Sequence, residues 1–115
     1  NIIDIRYNNY KKYKESLSFI NKLTLNNDNF ISNFAFPLLL NSKEQRNEVI
    51  EKLKNKVEIR PIISGCMGEQ PFLTDKLNYK TNLINSKQIH NCGMYLPNNP
   101  SITFEDIEYI KELIR

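Results

Sequence analysis

Each of the three short apolar runs that are typical of β-strands contains a proline. The runs occupy residues 34–40, 57–63 and 94–97, and their prolines are Pro37, Pro61 and Pro97. Proline has no backbone N–H, so Pro37 inside its run predicts an edge strand or a bulge. The residue before a proline is held extended, which applies to Arg60. Pro97 ends the third run.

The first and last helices are predicted from hydrophobic side chains that recur every three or four residues. The first helix extends from Ile5 to about Leu23. Its inward face is formed by Tyr10, Tyr13, Leu17 and Ile20. The last helix starts at Thr103, which can form a capping box with Asp106. Its inward face is formed by Ile107, Ile110 and Ile114.

Two further helices complete the predicted fold. One begins at Ser42, which can form a capping box with Gln45. The apolar face of this helix is formed by Val49, Ile50 and Leu53. The other is short, begins at Asn85 or Ser86 and stops at Gly93. The order of elements predicts an α/β fold: a small two-layer sandwich with about three mainly antiparallel strands covered by helices. No element is assigned to residues 72–84.

The composition excludes several classes of function. The 115 residues fit one domain, and the net charge of +3 comes from scattered basic residues, which argues against a nucleic-acid partner. No apolar run approaches the roughly 20 residues that span a membrane. Cys66 and Cys92 are predicted to be reduced thiols of an intracellular protein, with a disulfide as the alternative. His90 and Cys92 have no further ligands spaced to complete a metal site.

Four segments, in this order along the chain, resemble the C-terminal domain of the DegT/DnrJ/EryC1/StrS sugar aminotransferases. They read "RYNNYKKYKESL", "NFAFPLLL", "EIRPIISGCMGEQPF" and "IHNCGMYLPNNPSITFEDIEYI". The resemblance implies that residues 1–115 are the small domain of a fold-type-I enzyme that uses pyridoxal 5'-phosphate (PLP). It also implies that the large PLP-binding domain precedes this chain. The absence of an initiating methionine and a predicted helix already under way at the first residues fit a piece of a longer protein.

The resemblance implies an activity that two domains share. A cytoplasmic homodimer would take an amino group from a donor such as glutamate and transfer it to a nucleotide-linked keto-sugar, as in polysaccharide biosynthesis. The lysine that forms the Schiff base and the aspartate that pairs with the pyridine nitrogen belong to the large domain, so no catalytic residue is predicted in this chain. Two alternatives stay open: a 3-dehydratase of the same family, in which histidine replaces that lysine, and a non-catalytic truncated remnant.

The resemblance also places the loop that follows Arg60 along the active-site cleft. Glycines allow the backbone to approach a ligand closely, and loop amides can donate to sugar hydroxyls or phosphate oxygens. The residues predicted to face substrate or cofactor are Arg60, Ser64, Gly65, Gly68, Gln70, His90 and Tyr95. The alternatives are a structural ion pair for Arg60, a packing or capping role for His90 and a core position for Tyr95. Cys66 stands where many relatives have asparagine, which puts one polar contact in doubt.

Overall fold

A two-stranded antiparallel sheet forms the centre of the fold. In a computed structural model that describes residues 1–23, 30–62, 65–76 and 82–115, β1 (Ala35–Leu39) pairs with β2 (Gly93–Pro97). The helices are α1 (Ile2–Ser16), α2 (Lys43–Leu53), α3 (Pro71–Thr74), α4 (Ile84–Cys92) and α5 (Phe104–Ile114), with a 3₁₀ turn at Met67–Glu69. The predicted α/β class is confirmed.

The third predicted strand, residues 57–63, is reduced to one antiparallel bridge in the described residues. Arg60 donates to the Tyr95 carbonyl over 3.3 Å, and Tyr95 donates to the Arg60 carbonyl over 2.6 Å. Extending this register places residue 58 opposite Pro97, which has no N–H, and residue 62 opposite Gly93. The Gly93 N–H already donates to the Ile89 carbonyl at the end of α4. Both neighbouring positions therefore lack a free donor on β2, and the described sheet has two strands instead of three.

Pro37 occupies an edge strand, as its sequence context predicts. It lies opposite Tyr95, whose N–H and carbonyl both point away from β1 toward Arg60. In an antiparallel pair such a position carries no hydrogen bonds between the two strands, so the missing N–H of proline leaves no gap in the ladder. The outer edge of β1 is covered at Leu39, whose N–H donates to Asn21 Oδ1 over 3.1 Å.

The core lies between one face of the sheet and three helices, α1, α2 and α5. It contains the predicted inward faces of these helices, except Ile50, which is partly buried and packs against the core. Alternate residues of the strands complete it, and its members are Tyr10, Tyr13, Leu17, Ile20, Phe36, Leu38, Leu40, Val49, Leu53, Met94, Leu96, Ile107, Ile110 and Ile114. Tyr13 is fully buried, and its hydroxyl donates to the Pro97 carbonyl over 2.9 Å. Burial raises the pKa of Tyr13, so this hydroxyl stays protonated and remains a donor.

The predicted helix boundaries differ from the structure in detail. α1 begins at Ile2 instead of Ile5, with Asn1 as its N-cap, and ends at Ser16 instead of about Leu23. Leu17 and Ile20 remain buried in the turn that follows. α4 begins at Ile84, before either predicted start. Part of the unassigned stretch 72–84 belongs to α3, while residues 77–81 lie outside the described residues.

The two predicted capping boxes have different outcomes. At α5, Thr103 and Asp106 form the complete box, with reciprocal bonds of 3.1 and 2.8 Å. At α2, Ser42 accepts from the Gln45 N–H over 3.1 Å, but the Gln45 side chain accepts from the Asn41 N–H instead. The reciprocal half of this second box is therefore displaced by one residue.

Among the described residues, no helix has the length and apolar character needed to cross a membrane. The same part of the chain contains no group of three or more histidine, cysteine or acidic side chains suited to a metal ion. Cys66 and Cys92 are free thiols and both are buried.

A cluster of charged and polar side chains joins α1 to α5. Glu108 accepts from Lys12 over 2.7 Å, from the Ser16 hydroxyl over 2.6 Å and from Lys111 over 2.9 Å. These hydrogen bonds, with the one from Lys12 the largest contribution, lower the pKa of Glu108 from 4.5 to about 2. The carboxylate therefore stays ionised over a wide range of acidic pH.

We predict that Glu108→Gln lowers the free energy of unfolding at neutral pH and weakens its acid dependence. A carboxyl whose pKa is lowered in the folded state stabilises the protein at pH values above its unfolded-state pKa of 4.5. This contribution disappears as the pH falls toward about 2. Urea unfolding across that range measures the effect. Glu112→Gln, which removes only an exposed pair with Arg115 at 3.4 Å, is the control and should leave the pH profile nearly unchanged.

Candidate functional site

Three of the predicted site residues meet in one concavity of about 490 Å³. We call this the basic concavity; it is lined by Lys43, Arg46, Pro61, Ile62, Gly65, Met67, Gln70, Phe72, His90 and Asn91. It lies where the first turn of α2, the last turn of α4 and the loop before α3 converge. Among the described lining residues there are two cationic side chains and no carboxylate, an arrangement that favours anions.

Arg46 is held in place by the backbone of β2. Its Nε donates to the Gly93 carbonyl over 2.8 Å, and the side chain is partly buried. Among the described residues, this carbonyl is the one hydrogen-bond acceptor of the guanidinium. The two terminal nitrogens, which form the fork that matches a phosphate or carboxylate, are thus left for a ligand.

Gly93 connects this contact to the fold. Its φ of −94° is extended, so the predicted helix stop is correct but does not use the left-handed backbone of a usual glycine cap. A Cβ at Gly93 would lie 2.5 Å from Ile62 Cδ1 and 2.5 Å from the Ile89 carbonyl oxygen. Glycine is therefore required here because α4 and Ile62 pass too close for any side chain.

His90 faces the loop wall of the concavity. Its Nδ1 accepts from the Cys66 backbone N–H over 3.2 Å. Gly65, with φ of +53°, lies directly against the imidazole ring. An imidazole that accepts at Nδ1 carries its proton on Nε2 when neutral, so Nε2–H is a donor. Gln70 also lines the concavity, where its amide can donate and accept.

The structure places Arg60 and Tyr95 elsewhere. They line a smaller concavity of about 180 Å³ together with Phe34, Glu58 and Asn98, among others. Arg60 is exposed and pairs with Glu58 over 2.7 Å, which is the structural ion pair considered from the sequence. Tyr95 is half-buried, and its ring lies 5.7 Å from that of Phe34. The predicted set is thus divided between two concavities.

Two more predicted residues do not reach the basic concavity in the described structure. Gly68 is buried within the 3₁₀ turn and does not line the concavity. Ser64 lies outside the described residues. The Cys66 side chain is fully buried, so the concavity has no accessible thiol nucleophile among its described lining residues.

Lys43 and Arg46 are the residues that sequence reasoning missed. A signal for Arg46 was present, because it lies three residues before Val49 and seven before Leu53, on the inward face of α2. A cation on an otherwise buried helical stripe indicates a partner or ligand on that side. Lys43 carried no comparable signal.

The whole chain matches a known protein family. Residues 1–115 match the profile of the DegT/DnrJ/EryC1/StrS aminotransferase family. The chain belongs to this family. A comparison with curated proteins found no matching sequence.

Several solved structures share the fold. The GDP-4-keto-6-deoxy-D-mannose-3-dehydratase of E. coli with bound hydrated PLP is 22% identical, with a TM-score of 0.76 over 98% of this chain and 31% of that chain. A putative PLP-dependent aminotransferase from Bacillus cereus is 27% identical, with a TM-score of 0.74 over 97% of this chain and 31% of that one. A DegT DnrJ EryC1 StrS aminotransferase from Brucella abortus is 18% identical, with a TM-score of 0.76 over 99% and 30%. The chain thus spans less than a third of the length of these relatives.

We predict that Gly93→Ala destabilises this member of the DegT/DnrJ/EryC1/StrS family by roughly 1–3 kcal/mol, the usual range for an overpacked buried site. The new methyl group must displace either Ile62 or the last turn of α4. Urea unfolding measures the loss. Adding Ile62→Val, which removes the nearest side-chain atom, should restore part of the stability. If Gly93→Ala alone proved as stable as the parent, the close contacts at Gly93 would not constrain the fold.

Proposed function

We propose that this chain is the small C-terminal domain of a PLP-dependent enzyme that transfers an amino group to a nucleotide-linked keto-sugar. Its basic concavity would form the substrate-facing wall of the active-site cleft, with the cofactor held mainly by a large domain that lies outside this chain. Membership of the family and the shared fold of its solved members support this proposal. The resemblance also implies a soluble, cytoplasmic homodimer with a role in polysaccharide biosynthesis. These properties are part of the same proposal.

The single observation that carries the proposal is the anchored guanidinium of Arg46. A nucleotide sugar presents a diphosphate and several hydroxyl groups. Arg46 and Lys43 suit the diphosphate, while Gln70 and the Nε2–H of His90 suit hydroxyl groups. Because Gly65 has no Cβ, the loop backbone lies close to the His90 ring. Because Nε of Arg46 is already fixed on the Gly93 carbonyl, little side-chain freedom is lost when an anion binds.

The residues of the basic concavity do not suit PLP itself. When bound, PLP supplies an electron sink for carbanion chemistry, and it needs an amine for the Schiff base and an acidic partner for its pyridine nitrogen. Lys43 is the one amine in the described lining, and no carboxylate accompanies it. The contribution of this domain is therefore to bind and orient the substrate, and no chemical step is assigned to its residues.

The 3-dehydratase branch is the second candidate, because solved dehydratases and aminotransferases resemble this chain to the same extent, with TM-scores of 0.76 and 0.74. The two branches differ in the product. In the presence of PLP, glutamate and a nucleotide-linked 4-keto-6-deoxyhexose, mass spectrometry of the sugar separates them. An amine in place of the keto oxygen supports the aminotransferase, and loss of a hydroxyl group supports the dehydratase.

We predict that Arg46→Ala in the full-length enzyme raises KM for the nucleotide sugar about tenfold or more, with a much smaller change in kcat. A hydrogen bond to a charged group contributes about 1.5–3 kcal/mol, which corresponds to that range of affinity. Arg46→Lys should recover only part of the loss, because an ammonium cannot reproduce the guanidinium fork.

Arg115→Ala is the matched control, since it removes the same charge from an exposed arginine that pairs with Glu112. It should leave both kinetic constants within about twofold of the parent. A KM for Arg46→Ala equal to that of the control would remove the basic concavity from the substrate site.

A further inference from the structure

The loop that forms one wall of the basic concavity is joined through its backbone to a side chain of α4, that of His90. We infer that His90 is a positioning residue: its Nδ1 holds the Cys66 backbone and thereby fixes residues 65–70, which we call the wall loop. The inference concerns the order of this loop and does not depend on which reaction the enzyme performs.

The hydrogen bonds of the wall loop explain why the contact with His90 positions it. Gly65, Glu69 and Gln70 donate to carbonyls only three residues earlier, at 3.0–3.1 Å. Such bonds shape the loop but do not attach it to the rest of the protein. The Cys66 N–H instead donates to His90 Nδ1, 24 residues away in sequence, over 3.2 Å.

Gly65 fits the position of the imidazole. Its φ of +53° is a conformation that glycine adopts without strain. A Cβ at this position would collide with His90 Nδ1 and lie 2.9 Å from Cε1. Because glycine has no Cβ, the backbone lies close to the ring, and the N–H of the next residue, Cys66, reaches Nδ1.

A second link between the wall loop and α4 provides an internal comparison. Lys87 lies 3.4 Å from Glu69, and both side chains are 39% exposed. Exposed ion pairs contribute little to stability because water screens them. His90 is itself exposed, but its bond to the Cys66 N–H is partly buried, and the Cys66 side chain beside it is fully buried. We therefore expect the imidazole, and not the ion pair, to hold the loop closed.

The buried thiol of Cys66 provides a direct measure of loop opening. In a Cys92→Ser background, Cys66 is the only thiol, and its reaction with an aromatic disulfide reagent requires the wall loop to open. His90→Ala should label about tenfold faster, as expected for the loss of one hydrogen bond. His90→Asn should return the rate to within about threefold of the parent, because a carboxamide oxygen can accept at the δ position. Lys87→Ala, the control on the same helix, should change the rate less than twofold.

Cys92 separates loop opening from general unfolding. It is also buried, but it lies at the end of α4 and not in the wall loop. In a Cys66→Ser background, His90→Ala should leave the labelling rate of Cys92 unchanged. Equal acceleration at both cysteines would mean that the substitution loosens the whole domain, and this result would overturn the inference. A His90→Asn variant that labels as fast as His90→Ala would also overturn it.

The parent chain provides a test that needs no variant. Nitrogen-15 NMR of the His90 side chain should show Nδ1 without a proton and Nε2 with one. A proton on Nδ1 of the neutral ring would contradict the inference, because that nitrogen could not accept from Cys66. This measurement and the thiol assay report on loop order alone. They can fail while the KM test at Arg46 succeeds, and the reverse also holds.

Discussion

Gly93 is the position on which the sheet, the last turn of α4 and the basic concavity all depend. Its N–H ends the helix on the Ile89 carbonyl, and its own carbonyl holds Arg46 Nε. It also begins β2, so one residue converts helix into strand with no turn between them. Because the space beside it is filled by Ile62 and the Ile89 carbonyl, the connection tolerates no side chain. The direction of β2 and the position of Arg46, a candidate ligand-binding residue, are therefore both set at Gly93.

The fold separates stability from binding. One face of the sheet and three helices form the apolar core, and the buried hydroxyl of Tyr13 donates to the Pro97 carbonyl within it. The basic concavity lies at the junction of α2, α4 and the wall loop, where Arg46 and His90 line the cavity and each is joined to the backbone by a hydrogen bond. A surface of this kind is arranged before a ligand arrives, which reduces the entropy lost on binding. Such an arrangement suits a domain that positions a substrate whose chemistry takes place in another domain.

Much of the architecture was predictable from local rules. Helical spacing identified the buried stripes at Tyr10, Tyr13 and Ile107, and the capping box identified the start of α5. The edge position of Pro37 was likewise predictable from its missing N–H. The third strand was not, since its pairing fails at residues of a different strand: Pro97 has no N–H, and the N–H of Gly93 belongs to α4. Among the site residues, His90 and Gly65 were predicted separately, but nothing in the sequence indicated that they touch.

The sequence by itself determined most of the buried stripes of α1, α2 and α5, where α2 and α5 begin and which family the chain resembles. These properties depend on periodicity, capping and motif order, all of which act over a few residues. Only the tertiary structure decided that Arg46 lines the candidate site and that Arg60, so close to the wall loop in sequence, pairs with Glu58 beside a different concavity. The physical reason is that a site of this kind is assembled from three separate segments of the chain. Their mutual distances are set by packing around the sheet, and a linear pattern contains no record of those distances.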